Sequence, residues 1–298
     1  MLNDTLIANF LEHLEHERCL SAHTIKNYKH DLENAALFFK KYDIQEWSAV
    51  KDETIRALII SNRKLKKLSR TINRQLSTLR TFYNYLIREE IVADNPATRI
   101  KVLKTPRQLP KPLDTDETAR LLAFETSNSL SIRDAAILEL LYSSGIRISE
   151  LVALDLTDLD LKQGQMYVLG KGKKNRIALI GRFALQAIQK WLLVRLPLVE
   201  PQEKALFVNN KGKRLSIRAI QYRVYQIGLQ QGLDTRVHPH RLRHSFASHL
   251  LESSGELRAV QELLGHASLN TTEIYTQLNF QHLATVYDKC HPRAQKKK

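Results

Sequence analysis

Over the first third of the chain, apolar side chains return every three or four positions. Leu6, Ile7, Phe10, Leu11 and Leu14 form one such stripe, the spacing of a helix with one face turned to a core. Ser21 is placed to cap a second helix, in which Ile25, Tyr28, Leu32, Ala35 and Phe38 or Phe39 make the buried edge. A third helix is predicted from Asp52 to about Leu65, carrying Ile55, Leu58 and Ile59. A fourth follows a Ser69 cap and carries Ile72, Leu76, Leu79, Phe82, Tyr83 and Leu86, with Asp94, Asn95 and Pro96 marking its end. Four amphipathic helices on short connections predict a small bundle over residues 1–100.

Residues 101–112 break the periodicity with three prolines among Lys101, Lys104 and Arg107, the composition of an extended, positive linker. The second domain, residues 113–298, opens with Asp114 or Thr115 capping a helix through Leu122. Residues 132–143 are strongly apolar and predict a core helix. Gly145 breaks it, and Ser149 is suited to cap the next short helix, with Glu150 just inside. Residues 165–169 alternate, turn through a Gly- and Lys-rich stretch, and resume at 176–180, which predicts a β-hairpin. The run Ala-Leu-Phe-Val-Asn at 205–209 reads as a third strand. Helices are expected at 182–196, 216–231, 240–253, 257–264 and 271–278. The expected fold is therefore mainly α: a four-helix bundle, then an α-rich domain with a small antiparallel three-stranded sheet.

Charge narrows the choice of partner. The chain has 298 residues and a formal charge of +15, spread along its length. A basic globular protein points to a polyanion, with nucleic acid first and an anionic membrane second. No apolar run approaches the roughly 20 residues of a membrane span. The N-terminus is acidic where a secretory signal would be basic. Cys19 and Cys290 sit near opposite ends and form no paired motif, so neither a disulfide framework nor a zinc site is expected, and a reducing cytoplasm fits. The basic residues Arg63, Lys64, Lys66, Lys67, Arg70, Arg74 and Arg80 crowd one side of the bundle. A solvated helix face accounts for many such runs, but on so basic a chain contact with phosphate backbone is the preferred reading. Lys101, Lys104 and Arg107 in the linker fit the same role and equally a plain solvated linker, which the sequence alone does not separate.

The candidate chemistry lies in the second domain. His240 and Arg243 are three apart at a helix start, so they share a face, and no carboxylate occurs between Val237 and Leu251. Arg243 offers a planar fork that matches two phosphate oxygens. Gly265 stops a helix and delivers His266 from a turn. Tyr275 has a weakly nucleophilic hydroxyl that needs cations or a base nearby. Lys171 sits in the hairpin turn between two glycines, where it can reach a leaving oxygen; Lys173 and Lys174 compete for that role. Arg147 emerges from the loop after Gly145, and Glu150 is placed to brace it or another cation. His238, His240 and His244 form too thin a set for zinc, with no cysteine or aspartate beside them. Each residue alone has a bland explanation, and it is their company that points to a phosphate diester.

Those residues lie in stretches that resemble the tyrosine recombinase (phage integrase) family: SGIRISELVAL around Arg147, the hairpin around Lys171, HPHRLRHSFASH, and LLGHASLNTTEIYT. The likeness extends over nearly the whole chain, and the ending QHLATVYDKCHPRA resembles the XerC branch of the bacterial Xer recombinases. It implies a SAM-like, core-binding N-terminal domain and a catalytic set of Arg147, Lys171, His240, Arg243, His266 and Tyr275. Tyr275 would attack the scissile phosphate and form a 3′-phosphotyrosyl bond. Arg147 and Arg243 would hold the non-bridging oxygens, His240 would assist at the tyrosine proton, His266 would hydrogen-bond the phosphate, and Lys171 would protonate the leaving 5′-oxygen. Lys173, Lys174 and Arg241 would lie against DNA. The resemblance further implies no cofactor and no ATP, strand exchange through a four-way (Holliday) junction, a XerD-like partner in a heterotetramer, an FtsK-like translocase as regulator, and dimer resolution at cell division. The segment from about Gln281 would dock on a neighbouring subunit. A mobile-element integrase, a type IB topoisomerase and a non-catalytic DNA binder are the rival expectations.

Overall fold

A computed structural model describes residues 4–18, 20–101, 111–169, 175–233 and 236–264 of the chain. It divides into two compact units, Met1–Gln108 and Leu109–Lys298.

The first unit contains α1 (Asp4–His16), α2 (Ala22–Lys40), α3 (Asp52–Lys64) and α4 (Ser69–Arg88). The Ser21 hydroxyl accepts from the Thr24 amide at 3.3 Å, so the cap on α2 is where the sequence placed it. Ser69 is instead the first residue of α4, and Leu68 holds the cap position. Phe10, Phe39, Trp47 and Phe82 fill the core, with Trp47 and Phe82 edge to face at 4.8 Å between ring centroids. A buried polar network crosses this core. Asp31 on α2 accepts from Arg74 (2.6 Å) and Thr78 (3.0 Å) on α4, and Asn62 on α3 donates to Gln75 (2.7 Å). Burial pushes the Asp31 carboxyl above the usual range, while Arg74 and Thr78 pull it back.

Two of the expected phosphate contacts therefore have internal partners. Arg74 pairs with Asp31. Arg80 donates from Nε to the Ala97 carbonyl (3.0 Å) and from Nη2 to that of Ile100, fastening the chain after α4 back onto the helix. Arg80, expected against DNA, turns its Nε and Nη2 toward backbone oxygens of its own unit. Arg63, Lys64, Lys66, Lys67, Arg70 and Lys101 are exposed. Lys104 and Arg107 lie outside the described residues.

The second unit is built around α6 (Ser129–Ser144), which follows α5 (Thr115–Leu122). The Asp114 and Asn128 side chains each accept from the amide three residues on, and their own amides donate back to the Glu117 and Ser131 side chains, giving both helices a capping box. Almost every side chain from Arg133 to Ser144 is buried, the charged Arg133, Asp134 and Glu139 included. It packs against α8 (Arg182–Arg195) and α10 (Pro239–Ser254). Between them come α7 (Ile148–Ala153), the strands β1 (Leu159–Asp160), β2 (Gln165–Leu169) and β3 (Asn175–Leu179), and α9 (Ile217–Gln230); α11 (Leu257–Leu264) closes the described part. The sheet is antiparallel in the order β1-β2-β3, with Met166 opposite Ala178 and Val168 opposite Arg176.

The sheet has three strands, but the third is not the one expected. Residues 205–209 form only isolated bridges, Asp155 to Ala205 and Val208 to Arg214. Ala205, Leu206, Phe207 and Val208 are all buried. Their carbonyls are taken largely by side chains instead of a neighbouring strand. Trp191 Nε1 donates to Leu206 (2.8 Å), Arg195 to Ala205 through two nitrogens (3.0 and 2.6 Å), and Arg133 to Val208 (3.0 Å). The missing strand is instead the two-residue β1, too short to show alternation. The helix expected at 271–278 lies outside the described residues.

Arg195 also donates to the Glu203 carbonyl at 2.8 Å, so one buried guanidinium holds two carbonyls of this segment. Arg195→Met should lower unfolding free energy by about 2–4 kcal/mol, because buried carbonyls lose a charged donor. Urea denaturation of the full chain, followed by Trp191 fluorescence in a Trp47→Phe background, reads the shift.

Candidate active site

The site begins at the end of α6. Gly145 takes the left-handed conformation (φ +57°) that stops the helix. A Cβ there would overlap the Phe246 ring and lie 3.0 Å from Leu264. Glycine is thus required twice, for its backbone angle and for the close approach of α10 and α11. A buried bond between the Tyr142 hydroxyl and His249 Nδ1 (2.9 Å) joins α6 to α10 one turn deeper.

The chain then turns through Ile146 and presents Arg147. The expected Ser149 cap is replaced here. Arg147 itself stands at the cap position of α7, and Glu150 reaches back to its amide at 2.8 Å. The other Glu150 oxygen accepts from Arg147 Nη1 at 2.8 Å. Glu150 is buried, with its side chain 3% exposed, while that of Arg147 is 34% exposed. A buried carboxylate therefore sets the position of a partly open guanidinium. This is the bracing role that the spacing suggested.

Arg243 approaches from α10. Its Nη1 donates to the Gly145 carbonyl and its Nη2 to that of Leu264 (2.7 Å). These carbonyls belong to the C-terminal ends of α6 and α11, where helix geometry leaves oxygens open and the macrodipole favours a cation. Burial, then the nearby Arg147, push its guanidinium down to about 10, still a cation at neutral pH. His240 lies one turn before it, exposed. His238 caps α10: its Nδ1 accepts from the Arg241 amide at 3.2 Å. Burial, with His240, Arg241 and Arg236 around it, lowers its proton affinity.

Arg241 does not join this group. Its side chain is 7% exposed, and it donates to the carbonyls of Lys111 (2.8 Å) and Pro112 (3.5 Å). Arg241, expected against DNA, anchors the start of the unit to α10. Lys171, Lys173, Lys174, His266 and Tyr275 lie outside the described residues, as does the segment after Gln281. Leu264, whose carbonyl Arg243 holds, immediately precedes Gly265 and His266 in the chain.

One residue of the cluster was not singled out from sequence. Arg176, on β3, donates to Glu150 Oε2 at 3.0 Å and to the Leu263 carbonyl at 3.4 Å. The available signal was alternation: Arg176 shares its strand face with the buried Ala178. Three arginines thus gather on one buried carboxylate and the ends of two helices. Such fixed cations are suited to stabilising charge that develops on phosphoryl oxygens.

Residues 111–282 match the Phage integrase family, and residues 7–90 match the Phage integrase N-terminal SAM-like domain. The chain belongs to the phage integrase family of tyrosine recombinases. It is 49% identical to the tyrosine recombinase XerC of Alcanivorax borkumensis, over 98% of this chain and 95% of that protein. It is 46% identical to that of Haemophilus influenzae, over 99% of both. Among solved structures it is similar to the XerH site-specific recombinase bound to palindromic difH substrate in a post-cleavage complex. That likeness has a TM-score of 0.69 and 25% identity, and covers 88% of this chain and 78% of that one. The protein is thus a XerC-like, site-specific tyrosine recombinase, an enzyme of DNA strand exchange.

In this recombinase Gly145 sets the gap across which Arg147 and Arg243 meet. Gly145→Ala should cost at least about 1–2 kcal/mol from the backbone angle alone, with more from displacing Phe246. A lower thermal midpoint accompanied by slower DNA cleavage is the expected outcome, and unchanged stability would contradict the packing described.

Proposed function

We propose that the protein resolves chromosome and plasmid dimers in the cytoplasm at cell division. It acts on paired duplex DNA sites, in a heterotetramer with a XerD-like partner and under control of an FtsK-like translocase. The relatives named XerC, at 49% and 46% identity, support this role. The observation that carries the chemistry is the convergence of Arg147 and Arg243, from sequence-remote loops and helices, beside Gly145.

In this reading the two arginines bind the non-bridging oxygens of the scissile phosphate. Tyr275 attacks phosphorus, its phenolic proton passing toward His240, and a P–O bond to the tyrosine forms as the P–O5′ bond breaks. Lys171 gives a proton to the departing 5′-oxygen, and His266 hydrogen-bonds the phosphate. The bond energy is kept in the phosphotyrosyl link, so a different 5′-hydroxyl can reverse the step and exchange strands without ATP. The exposed Arg63, Lys64, Lys66, Lys67 and Arg70 supply backbone contacts from the first unit, and Lys101, Lys104, Arg107, Lys173 and Lys174 add to them.

A suicide substrate nicked beside the cleavage point tests the assignment. Tyr275→Phe should bind DNA normally and give no covalent adduct; an adduct in that variant removes Tyr275 as nucleophile. Lys171→Ala should slow cleavage of an ordinary 5′-oxygen substrate by about 10²–10⁴-fold, the usual contribution of a general acid. It should largely spare a 5′-thio leaving group, which departs without a proton. Equal losses on both substrates would assign the acid elsewhere.

A further inference from the structure

Arg147 owes its position to Glu150, and Glu150 does not answer to Arg147 alone. Its Oε1 accepts from Arg147 Nη1 at 2.8 Å, while Oε2 accepts both the Arg147 amide (2.8 Å) and Arg176 Nη2 (3.0 Å). Arg176 is the less exposed of the two guanidinium partners, 11% against 34%. It comes from a different element, β3, where it faces Val168 across the ladder. Its second hand reaches the Leu263 carbonyl at 3.4 Å, next to the Leu264 carbonyl held by Arg243.

We infer that Arg176 is a positioning residue for strand cleavage, keeping the Glu150 carboxylate shared so that Arg147 remains available to phosphate. This role rests on the reading of Arg147 as a phosphate-holding cation. A buried carboxylate with one guanidinium partner forms a bidentate pair, fork to fork. Without Arg176, Glu150 can turn both oxygens onto Arg147, closing the face that the substrate needs. With Arg176 in place, Oε2 is shared between Arg176 and the Arg147 amide, and the Arg147 guanidinium is held through Nη1 alone. The charge count moves in the same direction. Among the described residues, Arg147, Arg176 and Arg243 around the Glu150 carboxylate leave two positive charges in excess, whereas loss of Arg176 leaves one. A scissile diester carries one negative charge in the ground state and gains more in the pentavalent transition state. The effect should therefore fall on the chemical step more than on binding.

The test compares the full chain with Arg176→Met on two suicide DNAs, one with an ordinary scissile phosphodiester and one with a neutral methylphosphonate at that position. DNA affinity should change by less than about threefold, since a bulk of phosphate contacts elsewhere sets it. Adduct formation on the phosphodiester should slow by about 10–100-fold, the range seen when a supporting partner of a reactive group is removed. On the methylphosphonate, which needs less cationic compensation, the loss should shrink to a few-fold. Adding Glu150→Gln to Arg176→Met should recover part of the phosphodiester rate, because a neutral amide no longer captures Arg147. Should Arg176→Met fail to give a cooperative thermal transition, Arg176→Gln carries the same comparison. Equal losses on both substrates, or no loss, overturn the role given to Arg176. Arg147→Ala runs in parallel: if methylphosphonate does not relieve that variant, it is the phosphate-holding reading of Arg147 that fails.

Discussion

Like charges must be held together before the anion that draws them arrives. Guanidinium groups at one site repel one another, and water would normally separate them. Among the described residues the repulsion is offset by the Glu150 carboxylate and by carbonyl oxygens of Gly145, Leu263 and Leu264. The carbonyls matter because they orient a guanidinium without cancelling its charge. Arg243 depends on them entirely among the hydrogen bonds seen, and it lies between the C-terminal ends of two helices. Arg147 depends on the carboxylate. The second unit brings α6, α7, α10, α11 and β3 to one place, and that convergence is what lets a protein hold an organised cationic pocket at neutral pH.

The packing that makes this possible is local and stringent. Gly145 has no side chain because Phe246 and Leu264 occupy the space. The Tyr142–His249 bond fixes α10 against α6. The first unit has its own core around Trp47, Phe82 and Phe39 and its own buried network around Asp31.

Much of this was legible in the residues themselves, wherever local chemistry decides the outcome. The Ser21 cap, the Asp114 cap, the stop at Gly145 and the β2–β3 hairpin each follow from short-range patterns. The failures share one cause, which is that sequence gives a side chain's type but not its direction. Four apolar residues at 205–208 look the same in a buried strand as in a buried irregular segment. What distinguishes them is the partner of their carbonyls, here Trp191, Arg195 and Arg133. Arg80 and Arg241 read as surface cations, yet both turn inward to backbone oxygens. Arg176 escaped notice for the opposite reason: it belongs to the site but lies in a strand whose other residues are structural. The pair Arg147 and Arg243 was recoverable because each sits beside a conformational break, Gly145 in one case and the α10 start in the other.

The inward turn of Arg241 bears on where the second unit begins. From composition alone the natural cut falls just before Leu113. Such a cut would strip away the carbonyls of Lys111 and Pro112, leaving a guanidinium enclosed beside Glu117 with its main acceptors gone, two residues from Arg243. Anyone isolating this half for crystallography or spectroscopy should therefore retain Lys111 and Pro112. A fragment trimmed to the tidier boundary would carry a misplaced α10 and report a crippled centre that the intact molecule does not possess.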